Sequence, residues 1–270
     1  MPYVPRKGKG KKPAGKRSRV VRKSTRKPTV SKTIKSYVKR AIATNVENKH
    51  TFATITNQLI QPYGFSGTLL TVIPIIGSSG VGIISQGTGV SARLGNEIKV
   101  KQLMLKGWLN PIPVSAVNVD NGPFYVKMFI GKLKAGITSP TTFGSFFQVN
   151  NNNAAPQNTP FDIFRSANTE IFTIYNSKVF KIGYAATDVV NTVAVSGQPN
   201  NDFKLSQMFS INLNKHINKL KYDDAATTPT NQGIYMWFVA CKADGSAIAI
   251  TATAGSTEIH MDIHMTYEDA

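Results

Sequence analysis

The stretch Thr257-Glu258-Ile259-His260-Met261-Asp262-Ile263-His264-Met265-Thr266-Tyr267-Glu268 alternates without a break. Ile259, Met261, Ile263 and Met265 fall on one side of an extended chain, and His260, Asp262, His264 and Thr266 on the other. Successive side chains of a strand point to opposite faces, so this reads as a strand with one buried and one wet face. The same period sets Phe124, Val126, Met128 and Ile130 against Tyr125, Lys127 and Phe129, and Phe209, Ile211 and Leu213 against Ser210 and Asn212. In 97–109 (EIKVKQLMLKGWL) Ile98 and Val100 are in one phase and Leu103 and Leu105 in the other, which predicts a β-bulge near Gln102.

Reading outward with that period predicts strands at 49–58, 97–109, 123–134, 170–182, 203–213, 215–222, 233–242 and 257–268, each bounded by Gly, Pro, Asn or Asp. Eight strands and almost no helix predict an all-β sandwich or barrel, built as one domain. Two connections, 59–96 and 135–169, are long and rich in Gly, Pro or Asn, and loops of that size on a β scaffold usually serve function or interfaces. Upstream the period changes. Ile34, Val38, Ile42 and Val46 recur every four residues with Lys32, Lys35, Lys39 and Arg40 between them, which predicts a short amphipathic helix over 31–46, able to hinge what precedes it onto the body.

What precedes it is a polybasic arm. Arg6, Lys7, Lys9, Lys11, Lys12, Lys16, Arg17, Arg19, Arg22, Lys23, Arg26, Lys27, Lys32, Lys35, Lys39 and Arg40 are sixteen of the thirty-two Lys and Arg residues, and no Asp or Glu precedes Glu47. The remaining 230 residues hold the other sixteen against all fourteen acids, so sixteen of the net +18 charges belong to the arm. Such a segment has too little apolar surface to offset its ordering entropy and should stay disordered until it meets a polyanion, most simply nucleic acid. Lys16-Arg17-Ser18-Arg19 and Arg22-Lys23 also have the form of a nuclear import signal, which makes host import receptors expected partners.

Other chemistries find little support. The single Cys241 excludes an intramolecular disulfide framework and has no His or Asn partner pattern for catalysis. No secretory signal is evident, and the longest apolar stretch, Leu69 to Ile76, is interrupted by Thr71 and Pro74 and far too short to cross a bilayer, so a soluble protein made inside the cell, with no membrane partner, is expected. The Gly-rich segment 77–95 lacks the Gly-Lys-Ser/Thr of a phosphate loop. His260, Asp262 and His264 form the one set with metal-ligand chemistry, but steps of about 7 Å along a strand and the want of a fourth ligand favour a polar outer face. Asp223-Asp224 and Asp120-Asn121 read as turn residues rather than cation ligands, and Trp108 and Trp237 as core or interface aromatics. No nucleophile and base pair stands out; neither an enzyme nor a cofactor is expected.

Several stretches carry a resemblance: Arg93-Leu94-Gly95-Asn96-Glu97-Ile98 leading into a long strand that ends in Trp108, then FYVKMFIGKLK at 124–134. Lys221-Tyr222 before a loop, GIYMWFVAC at 233–241 and the terminal HMTYED complete it. Together they resemble the jelly-roll capsid proteins of small circular single-stranded DNA viruses that encode a replication-initiator protein, over essentially the whole chain. The resemblance implies an eight-stranded antiparallel jelly roll of two four-stranded sheets over 41–270, preceded by the arm, 1–40. It further implies a T = 1 shell of about sixty copies enclosing single-stranded DNA on the arms, found in the virion and, during assembly, the host nucleus. A jelly-roll coat of a small RNA virus shares this architecture. A cellular basic-tailed nucleic-acid-binding β protein is the other reading, but such a module should carry its cations on its fold, and this body is only +2.

Overall fold

The computed structural model describes residues 31–45, 48–63, 70–77, 80–89, 91–112, 123–137, 143–150, 152–183, 205–231, 233–246, 248 and 257–269. The chain divides into two units, 1–45 and 46–270. In the first, helix α1 (Lys32–Asn45) begins where the pattern placed it. Ser31 caps it, its Oγ accepting from the Ile34 N–H at 3.2 Å and its carbonyl from Lys35. Ile34, Tyr37 and Val38 are exposed.

The second unit contains β1 (Lys49–Ile60), β2 (Thr71–Ile76), β3 (Glu97–Pro111), β4 (Phe124–Leu133), β5 (Phe147–Val149), β6 (Asn152–Ala154), a single helical turn α2 (Phe161–Phe164), β7 (Phe172–Ile182), β8 (Gln207–Asn212), β9 (Lys219–Lys221), β10 (Ile234–Lys242) and β11 (Thr257–Asp269). One sheet runs β1-β11-β3-β8, with β9 also on β3; a second runs β2-β10-β4-β7; β5 and β6 form a separate hairpin. All ladders within these sheets are antiparallel. Counting only the eight strands that make the two sheets' paths, the orders are first-eighth-third-sixth and second-seventh-fourth-fifth, the interlocked Greek keys of a jelly roll.

The inward faces supply the main core: Ile98, Val100, Leu103, Leu105 and Leu109 from β3, Ile259, Met261, Ile263 and Met265 from β11, and Phe124, Val126, Met128 and Ile130 from β4, all buried. The expected bulge is present. Gln102 pairs with Thr266 but Val100 with Tyr267, leaving Lys101 as the extra residue, and that insertion lets Ile98/Val100 and Leu103/Leu105 face the same core. Gly107 faces inward where Met261 and the ring of Phe209 leave no room for a Cβ.

Two expectations need correction. The segment 215–222 contributes only the three-residue β9, paired to Glu97–Lys99. The strand that completes the second sheet is instead β2, inside the segment read as a loop over 59–96. Pro74 hid it: proline removes a ladder donor, but β2 is an edge strand whose ladder among the described residues is with β10, and its register shifts beside Pro74.

The long 135–169 connection also does more than link strands. Phe146, Phe147 and Ala167 pack with Leu70, Phe129, Phe172, Trp237 and Val239 into a second core on the outer face of the β2-β10-β4-β7 sheet. Phe146 sits 5.0–5.2 Å between ring centroids from Phe129, Phe147 and Phe172. Buried Asn168 organises this cover: its N–H donates to Phe146 O at 2.7 Å, its side-chain amide donates to Ser145 O and Asn153 Oδ1, and its Oδ1 accepts from Glu170 N. Lys127, only 8% exposed, donates from Nζ to Ile163 O and Arg165 O, both at 2.7 Å, so the end of α2 is tied to β4. Burial pushes the Lys127 pKa down. Buried on both faces, β4 and β10 read as near-continuous apolar runs. Phe146→Ala should therefore cost about 3–5 kcal/mol in urea unfolding, as expected of a filled aromatic site; a change within about 0.5 kcal/mol, the range of ordinary surface substitutions, would show that the second core does not hold the cover down.

Candidate nucleic-acid arm and assembly faces

Of the sixteen arm cations, Lys32 and Lys35 are described, exposed on α1. Lys39 and Arg40 fall within α1, with side chains outside the described residues. Arg6, Lys7, Lys9, Lys11, Lys12, Lys16, Arg17, Arg19, Arg22, Lys23, Arg26 and Lys27, including the import cluster, lie outside the described residues.

Several of the body's cations are paired within the body. Lys99 and Lys101 pair with Glu268 at 3.3 and 2.8 Å, and Lys219 and Lys221 with Glu97 at 2.9 and 3.2 Å. Hydrogen bonds from Lys101 and from Lys219 hold the Glu268 and Glu97 carboxyls below the usual carboxylate range. Buried Lys49 reaches Asp269 at 2.7 Å and Ala92 O at 2.6 Å.

Some of the residues that carried the resemblance, Arg93 to Asn96, Tyr222, Tyr267 and Asp269, meet in one network. Arg93 is fully buried, donating from Nη1 to Gly95 O and Asn96 Oδ1 and from Nη2 to Asp223 O and Ala226 O, with its guanidinium 4.5 Å from the Tyr222 ring centroid. Tyr222 donates to Gly82 O at 3.0 Å and Tyr267 to Ser91 O at 2.8 Å; burial raises both phenols' pKa values, that of Tyr267 to about 12. Asn96 donates to Asp224, and Leu94 N–H to the Asp269 carboxylate. This knot fastens the connection before β3 to the loop after β9 and to the last residue of β11. Asp223 and Asp224 are thus turn and network residues; Asp120 and Asn121 lie outside the described residues. Cys241 is buried, its thiol pushed up to about 12 by burial, which disfavours the thiolate a nucleophile needs.

The outer face of the β1-β11-β3-β8 sheet has no cover equivalent to the one over the other sheet among the described residues. It presents Phe52 (68% exposed), Trp108 (41%) and Met208 (80%). Trp237 is core, whereas Trp108 stands on the surface. His260, Asp262 and His264 do share this face but diverge: His260 stacks on Trp108 and meets Glu258 at 3.1 Å, Asp262 accepts from Thr54 at 2.7 Å, and His264 stacks on Phe52 and lies 3.3 Å from His50. Among the described residues no group of three His, Cys, Asp or Glu could hold a metal. His50 and Phe52 were not singled out from the sequence, because which side chains on β11 they meet depends on long-range register. No described helix is long and apolar enough to cross a membrane.

No family model matches the sequence, and no curated protein does. The chain is similar to the polyomavirus VP1 of Trichodysplasia spinulosa-associated polyomavirus in complex with 3'-sialyllactose, at 10% identity and a TM-score of 0.22 over 83% of this chain and 94% of that one. A VP1 structure with GM1 oligosaccharide gives 10% identity and a TM-score of 0.21 over the same shares. Likeness at that level carries no argument, and the fold stands on the strand orders.

Arg93→Lys keeps the charge but loses the fork that serves several carbonyls at once, so it should cost about 2–3 kcal/mol in urea unfolding; wild-type stability would contradict the knot. A pH effect follows from His264, whose pKa is lowered by burial and then by His50 and Lys106. The native ring resists protonation, so stability should fall as pH drops below about 6.5, the ordinary histidine value, and level off below the depressed native pKa. Glu97 and Glu268 contribute above their ordinary value of 4.5 and lose their share only as pH falls below it, through their lowered native values. Thermal unfolding of His264→Gln between pH 7 and 5 should show a flatter slope than wild type; an unchanged slope would remove His264 as the cause.

Proposed function

We propose that the chain is a viral capsid subunit that assembles into a closed shell and packages nucleic acid, single-stranded DNA by preference, on its basic arm. The observation that carries this reading is the division of labour between the two parts. Sixteen cations without an acid precede a jelly roll that carries a net charge of only +2 and ties six of its own lysines to its own acids and carbonyls. A fold that gripped nucleic acid with its surface would leave its cations free, so the arm carries that task and the body is left to make contacts between copies. Closure of such contacts into a T = 1 shell takes about sixty copies. Sixteen cations per copy would then place on the order of a thousand positive charges inside, enough to neutralise a large share of a small genome. The same arm, through Lys16, Arg17, Arg19, Arg22 and Lys23, would engage host import receptors and place assembly in the nucleus before release in virions.

Removing residues 1–30 should leave the unfolding of the body nearly unchanged and abolish nuclease-protected nucleic acid in the purified material. Replacing Lys16, Arg17, Arg19, Arg22 and Lys23 together should weaken binding alike for unrelated DNA and RNA oligonucleotides, while Arg17→Ala alone should lower the slope of log affinity against log salt by at most about one unit. Sequence preference that survives high salt, or unchanged packaging by the truncated chain, would contradict the arm's role.

A further inference from the structure

Where β4 ends and β10 begins, Lys132, Lys134, Thr173, Thr230, Gly233 and Tyr235 line a cavity of about 510 Å³. Lys132 and Lys134 make no ion pair among the described residues, and no Asp or Glu is among the described residues that line the cavity. Lys106 and Lys178 make no ion pair there either, but the cavity they line also has Asp262 in its wall. Asn231, also on the wall, is already spent: its Oδ1 accepts from Lys221 N at 2.8 Å and its amide donates to Lys219 O at 3.1 Å. Thr230 likewise donates to Lys221 O. What remains to face a ligand is two ammonium groups and the hydroxyls of Thr173 and Tyr235. Gly233 leaves open the space over the Tyr235 ring that a Cβ there would fill.

Uncompensated cations in a concave site call for an anion, and the cavity lies within the range of about 300–1,000 Å³ usual for small-ligand sites, larger than a bare oxyanion needs. A polynucleotide fits less well. It needs a basic track, and the nearby Lys219 and Lys221 are held by Glu97. We propose that this cavity binds a sugar-sized organic anion, its carboxylate, phosphate or sulfate group held by Lys132 and Lys134 and its hydroxyls by Tyr235 and Thr173.

The test is saturation-transfer NMR on the full-length protein with glucuronate and with glucose 6-phosphate, with neutral methyl glucoside as the control. Both anions should give signal and methyl glucoside none. Lys132→Gln/Lys134→Gln should reduce the signal at least fivefold, whereas Lys16→Gln/Arg17→Gln/Arg19→Gln in the arm should leave it unchanged. If the double variant melts early, Lys134→Gln and Tyr235→Phe, each at exposed or partly exposed positions, should separately reduce it about twofold or more. Equal signal from methyl glucoside, signal that follows the arm variant, or complete displacement by equimolar oligodeoxythymidine would overturn the assignment.

Discussion

The last strand of the chain lies between the first and the third. β11 pairs with β1 on one side and β3 on the other, and β10 in the same way lies between β2 and β4. Neither sheet is continuous until residues 234–269 are in place, so loops spanning most of the body must close before their contacts repay the cost. The side chains at the end of β11 reflect this dependence. Tyr267 and Asp269 reach back to Ser91, Leu94 and Lys49, and the Arg93 network ties the adjoining loops together.

The two sheets then part in character. The β2-β10-β4-β7 sheet is covered by residues 143–172 and becomes an inner layer with apolar residues on both faces. The β1-β11-β3-β8 sheet keeps a mixed outer face of His50, Phe52, His260, His264, Trp108 and Met208. Sheets that bury one face and wet the other show a clean period of two, and doubly buried ones do not. That difference governs what could be read in advance.

β11 and β3 were legible because their outer faces are polar, down to the bulge beside Gln102. β4 was placed correctly from an alternation whose outer set, Tyr125, Lys127 and Phe129, turns out to be largely covered. β2 was missed since a proline on an edge strand looks, in one dimension, like a loop, and 215–222 was overextended because alternation cannot show that a strand has a partner for only three residues. The arm's charge was plain from the sequence. The way the body neutralises its own lysines was not, as each pair joins residues far apart in the chain, such as Lys49 with Asp269 and Lys219 with Glu97. The Arg93 motif was visible as a pattern, yet its reason, a buried guanidinium serving carbonyls of two loops, belongs to the folded state.

A nearly neutral jelly roll with most of the chain's net charge set apart on its arm is what the capsid reading requires. Electron microscopy of the purified full-length protein tests this most directly. The account predicts uniform closed particles of about sixty subunits, as one icosahedral set requires, that enclose nucleic acid. A protein that stays monomeric across salt, pH and added single-stranded DNA would contradict it.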